Sequence, residues 1–255
     1  EILYVQPYVN GAIQMLADST VVGASAAIID QMKNDVESRA ARVEHLFKEY
    51  CADAGLKVEY GKTDSADRQP SFSLQLVTGQ DCLEIARRGR LSDLIVMARA
   101  EPRDGGVHST LLEAALFDTG RAVFIAGEFP DSFDARHVVV AWDGSREASL
   151  SVGQAMPFLK CAENVRIVTI NHNDHVADPR SLAAYLERHE IVAIAERRLQ
   201  GGNSVADALI DEIDIERGDL LIMGAYGHCA LKEFPFGGVT QSVLEDSVVS
   251  VAMAH

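Results

Sequence analysis

Gly218-Asp-Leu-Leu-Ile-Met-Gly224 echoes an earlier stretch, Ser92-Asp-Leu-Ile-Val-Met-Ala98, and the comparison of the two decides the fold. Asp93 stands against Asp219 and Met97 against Met223, an offset of 219 − 93 = 126 residues. Each stretch is a polar turn followed by a short apolar run, the pattern of a strand covered on both faces. Farther along, Asp118-Thr-Gly-Arg-Ala-Val-Phe-Ile-Ala126 matches Asp246-Ser-Val-Val-Ser-Val-Ala-Met-Ala254 at an offset of 246 − 118 = 128, so the second copy holds two extra residues in the intervening loop. Upstream, Glu1-Ile-Leu-Tyr-Val-Gln6 resembles Arg166-Ile-Val-Thr-Ile-Asn171. Self-similarity at a fixed offset is the mark of a repeated unit. The expectation is two α/β domains in tandem, residues 1–134 and 135–255.

The second copy alternates strands with helices. Strands are expected at His137–Trp142, Val165–Ile170, Ile191–Ile194, Asp219–Met223 and Ser250–Ala254. Helices are expected from Ser145, placed as a cap, to about Lys160, at Ser181–His189, at Val205–Ile213 and from Thr240. Such alternation implies a parallel sheet covered on both faces. In the first copy nothing before Glu1 corresponds to residues 137–164, so the first strand and helix of that domain are expected to precede the sequence given. It also carries extra material. Residues 12–50 are Ala-rich, with a helical pattern strengthening through Val36, Val43 and Phe47, and 61–73 is loop-like.

Composition limits the partners. Of 255 residues 47% are hydrophobic and 24% charged, enough to bury a sizeable core. With 38 acidic against 23 basic residues the net charge is −15, which repels a nucleic-acid backbone or an anionic membrane. A small anion can still be held locally by backbone N–H groups. Cys51, Cys82, Cys161 and Cys229 form no C-x-x-C pair, and no apolar run approaches the ~18 residues of a membrane span. These features predict reduced thiols and a cytoplasmic protein.

The chemistry concentrates after the second of the opening stretches, in Met223-Gly224-Ala-Tyr-Gly227-His228-Cys-Ala-Leu-Lys-Glu-Phe-Pro-Phe-Gly237-Gly238-Val239-Thr240. A buried strand leads through a glycine-punctuated loop into a helix. Glycine permits close backbone approach, and a helix N-terminus offers unpaired N–H groups to an anion. The spacing Gly224-x2-Gly227-x9-Gly237 resembles that of the universal stress protein family, whose nucleotide binders place it after the fourth strand. Val140-Ala141-Trp142-Asp143-Gly144-Ser145 is similar to the end of that family's first strand.

The resemblance implies a Rossmann-like, doubly wound sheet of order 3-2-1-4-5, of the adenine nucleotide alpha hydrolase-like class, in each copy. It implies an ATP site in the second half, with Mg2+ accompanying the triphosphate. Ala141 and Asp143 would stand at the ribose and adenine end, and Met223 would line the base pocket. Gly224, Gly227, Gly237, Gly238, Val239 and Thr240 would bind phosphates, with His228 within reach of them. It also implies that the last strands, Ala122–Ala126 and Ser250–Ala254, pair in an internal pseudo-dimer, with homodimerisation of the whole chain open. The departure is Gly238, where the family's binders have Ser or Thr; a lost hydroxyl costs about 0.5–1.5 kcal/mol, up to about tenfold in affinity. In the first copy Ala98 and Glu101 stand opposite Gly224 and Gly227, and Asp104 adds a second carboxylate. Like charge there makes that half a degenerate site.

Other readings of these residues stay open. The glycines can simply turn the chain, and Asp143 can shape a turn or cap a helix. Gly61-Lys62-Thr63 lacks the upstream glycine of a P-loop, and no H-E-x-x-H or nucleophile elbow occurs. His172-Asn173-Asp174-His175 reads more simply as a solvated loop than as a metal site. Function therefore reads as a sensor or regulator in a stress response that binds adenine nucleotide, with weak ATPase activity at most. The alternative is a nucleotide-free protein that acts by binding protein partners.

Overall fold

The computed structural model describes residues 1–7, 26–58, 70–99, 107–128, 133–170, 178–199, 204–226 and 238–255. The chain divides into two compact units, Glu1–Glu84 and Ile85–His255. In the first, β1 (Ile2–Gln6) would be too short to stand alone; β4 (Leu74–Thr78) pairs with it in parallel, Ile2 opposite Leu74 and Gln6 opposite Thr78. A second parallel pair joins β2 (Lys57–Val58) to β3 (Ser71–Phe72). Helix α1 (Ala26–Asp53) carries an apolar stripe through Val36, Ala40, Val43, Phe47 and Cys51. That spacing puts these side chains on one face, and Ala40, Phe47 and Cys51 are buried. The helix expected within 12–50 thus exists from Ala26 on; the rest of that stretch, and 61–69, lie outside the described residues. Helix α2 (Asp81–Gly89) has Asp81 and Glu84 in its first turn and Arg87 and Arg88 in its last, matching the helix dipole.

The second unit is α/β. Its strands are β5 (Ile95–Met97), β6 (Val123–Ile125), β7 (His137–Ala141), β8 (Asn164–Ile170), β9 (Ala193–Arg198), β10 (Leu220–Gly224) and β11 (Ser250–Ala254). They form one sheet in the order β5-β6-β11-β10-β7-β8-β9. The run β9-β8-β7-β10-β11 is parallel throughout and has the 3-2-1-4-5 order. β6 and β11, aligned by the sequence comparison, lie side by side and antiparallel, with Phe124 opposite Ala252. β5 is parallel to β6.

Alternate residues of each strand feed two cores, one on each face of the sheet. Leu221 and Met223 pack with Val139, Ile213, Val243, Val251 and Met253, whereas Leu220 and Ile222 pack with Val138, Val140, Val152, Leu159 and Leu186. This is why the strands read as continuous apolar runs. The helices are α3 (Val107–Thr119), α4 (Arg146–Gln154), α5 (Met156–Cys161), α6 (Pro179–Glu187), α7 (Val205–Glu216) and α8 (Gly238–Asp246).

Two elements differ from expectation. The helix expected to run unbroken to Lys160 stops at Gln154 and restarts at Met156, because Pro157 has no N–H to give and fits only a first turn. The third strand runs Ala193–Arg198 rather than 191–194. Its charged end is kept in the sheet by ion pairs: Arg166 reaches Glu196 at 3.0 Å and Glu216 at 2.8 Å, Arg198 reaches Glu212 at 2.6 Å, and Arg198 also pairs with Glu196.

Candidate functional site

In a doubly wound sheet, ligands bind beyond the carboxyl ends of the strands where the winding reverses. Here that point lies between β7 and β10, which are registered Leu220 to Val138 and Ile222 to Val140. The segments leaving the two strands, Trp142–Ser145 and Gly224–Tyr226, therefore share one rim.

The β7 segment is a tight turn into α4. The Asp143 Oδ1 accepts the Ser145 N–H at 2.9 Å, and Gly144 adopts φ +77°. The Ser145 Oγ then accepts the Ala148 N–H at 3.1 Å and caps the helix. Thr169 on β8 ties the turn down, its hydroxyl donating to the Trp142 carbonyl at 2.7 Å. Asp143 thus shapes the turn, the structural reading that the sequence left open beside the ligand one.

The β10 segment runs hard against that same helix. A Cβ at Gly224 would lie 2.6 Å from the Ala148 backbone nitrogen and 3.0 Å from the Glu147 carbonyl carbon. A glycine is required because α4 packs there. Beyond it Tyr226 takes φ +66°, a conformation that few side chains adopt. Its ring lies 4.9 Å from that of Phe117 on α3, and Phe117 meets His255 edge-on at 4.5 Å. The His255 Nδ1–H donates to the Ala225 carbonyl at 3.1 Å. Burial, followed by the nearby carboxylate of Glu113, pushes the Tyr226 phenol well above its usual value, so it stays neutral. Phe117, Tyr226 and His255 were not singled out by the sequence; the sole signal was an aromatic residue between Gly224 and Gly227.

Ala141 and Val239 are half-buried against the core that holds Met223, and the Met223 side chain is itself buried there. Thr240 is buried as well, and Gly238 is exposed. Helix α8 leads from the carboxyl end of β10 toward the amino end of β11, so its first turn stands at the same rim as Asp143. Among the described residues, a Cβ at Gly238 would meet nothing within 4 Å. Its first N–H groups have no acceptors within the helix and carry the positive end of its dipole. Gly227, His228 and Gly237 lie outside the described residues, as do His172–His175, Glu101 and Asp104. Among the described residues, no group of three His, Cys, Asp or Glu is placed to hold a metal ion, and no helix is long and apolar enough to cross a membrane.

Comparison with known proteins agrees with this layout. Residues 134–255 match the model of the universal stress protein family. The structure is similar to that of a universal stress protein from Archaeoglobus fulgidus, with TM-score 0.67 and 18% identity over 99% of this chain and 95% of that one. A Pseudomonas aeruginosa chain assigned to the same family superposes with TM-score 0.52 at 10% identity, covering 98% of this chain and 91% of that one. At these identities the likeness is one of fold. No curated protein matches in sequence.

Proposed function

Since residues 134–255 form a domain of the universal stress protein family, we propose that this domain binds an adenine nucleotide and that the protein acts as a nucleotide-responsive regulator of the stress response. The observation that supports this best is the first turn of α8, beginning at Gly238, which no described residue crowds, on the rim that also carries Asp143. A helix start at a winding switch, whose first N–H groups have no acceptors within the helix, suits a phosphate, and none of the described residues crowds Gly238. The glycines at 224, 227 and 237 and the α8 N–H groups of Val239 and Thr240 would hold the phosphates, with the ribose and base toward Ala141 and Asp143. Bound Mg2+ would offset the phosphate charge. On this reading residues 1–134 and 135–255 are tandem copies, the first degenerate, in a cytoplasmic protein.

Calorimetric titration of the protein with ATP and Mg2+ is the test. We expect saturable binding near one site per chain, weakened about 100-fold or more by Gly227→Asp, because a carboxylate beside the phosphates adds like-charge repulsion. Absence of binding at millimolar ATP by a folded protein would refute the reading. Gly238→Ser makes an independent check. The added side chain has open space, so it should restore the missing hydroxyl without a clash and tighten ATP by up to about tenfold. An unchanged or weaker affinity would mean that phosphate does not reach residue 238.

A second reading, a nucleotide-free protein that binds protein partners, draws on two observations. Gly238 carries no hydroxyl, and an Asp143 oxygen is engaged by Ser145 within its own turn. Gly227→Asp separates the two readings, because it would leave partner binding intact.

A further inference from the structure

Arg99 lies two residues past the end of β5, 126 residues ahead of Ala225 and so opposite the glycine loop in the repeat. Its side chain does not face its own half of the repeat. The Nη1–H donates to the Leu244 carbonyl at 2.5 Å and the Nη2–H to the Val249 carbonyl at 2.7 Å. Leu244 is in the last turn of α8, and Val249 immediately precedes β11. Strand direction makes the reach short. β5 runs parallel to β6 and β6 antiparallel to β11, so the carboxyl end of β5 is level with the amino end of β11, where α8 finishes.

The same turn is gripped from a second side. The Glu128 N–H donates to the Val248 carbonyl at 3.0 Å and the Gly127 N–H to the Ser250 Oγ at 3.1 Å. Gly127 lies so close that a Cβ would sit 2.6 Å from the Val248 oxygen. Of these contacts, the charged ones come from Arg99. A guanidinium on the free carbonyls of a helix end is favourable both as a charge-assisted hydrogen bond and against the dipole.

Helix α8 has nine residues, too few for a stable helix in isolation, so its position is set by what holds it. One end carries Gly238, Val239 and Thr240; the other is fastened to Arg99. We infer that Arg99 is a positioning residue for the anion-binding turn of α8, fixing the first-turn N–H groups by fixing the far end of the helix. This rests on the nucleotide reading above for its ligand, though not for its mechanics. It makes the position opposite the glycine loop in the repeat a strut for α8.

The test compares Arg99→Met and Arg99→Lys with the wild type, by affinity for ATP and for adenosine and by hydrogen exchange of the α8 amides. Arg99→Met should weaken ATP about tenfold and leave adenosine within about twofold, since adenosine does not use α8. Arg99→Lys, which keeps the charge and one carbonyl contact, should recover part of the loss. Amides 242–246, which are bonded along the helix, should exchange faster in Arg99→Met. Unchanged ATP affinity, or equal losses for ATP and adenosine, would overturn the inference. Should the wild type bind neither ligand, the nucleotide reading fails by itself and exchange decides this one: faster exchange at 242–246 upholds the strut, and unchanged exchange removes it.

Discussion

Gly224→Val should destabilise the second unit by about 3 kcal/mol, the upper end of what overpacking a filled site costs. The new Cβ would meet the backbone of Ala148 at 2.6 Å, and backbone cannot swing aside as a side-chain tip can. Helix α4 must move, and its shift strains the Ser145 cap and the Asp143 turn with it. Gly238→Ala is the matched control, because its Cβ enters open space and should leave stability almost unchanged. Two glycines of one motif should thus respond in opposite ways to urea denaturation. Equal midpoints for Gly224→Val and the wild type would rule out the close approach of β10 to α4.

Phe124→Ala is expected to cost about 3–5 kcal/mol, as large aromatic truncations in cores do. Phe124 lies on β6, is 7% exposed, and packs edge-on to Phe133 at 5.0 Å and stacked on Phe158 at 5.7 Å. For a unit of this size each kcal/mol shifts the melting temperature by about 2–4 °C, so a fall of roughly 6–20 °C should be seen. The substitution lies ahead of residue 134, so a large effect shows that the second unit draws its core from both halves of the repeat. A loss under about 1 kcal/mol would instead make β6 a loosely attached edge.

The strands at 137–141 and 220–224 were legible because burial on both faces leaves no polar residue to break the run. β9 was misplaced for the opposite reason. It is the outermost strand beyond β8, and its Glu196-Arg197-Arg198 tail is held by charges on α7, which no local pattern announces. The break before Met156 is marked in the sequence by Pro157, which fits only the first turn of a helix.

At the site, glycine spacing signalled where side chains are forbidden but not which neighbour forbids them. At Gly224 that neighbour is α4, and at Gly238 there is none among the described residues. Asp143 was readable as either a ligand group or a turn former, and only coordinates expose its bond to Ser145. Arg99 was invisible to the sequence, since its acceptors lie 145 and 150 residues farther on.

The β6–β11 seam also bears on how the chain folds. Val251 pairs with Ile125 and Met253 with Val123, across most of the second unit's sequence. β10 likewise pairs with β7 across four intervening helices and two strands. Closing such loops costs entropy before any contact is gained, so folding slows as pairing becomes less local. The β5–β6 pair has no sheet to join until β11 is in place. Until then the apolar residues of Val123–Ile125 are exposed along an open edge, the stage at which a partly folded chain is most open to aggregation.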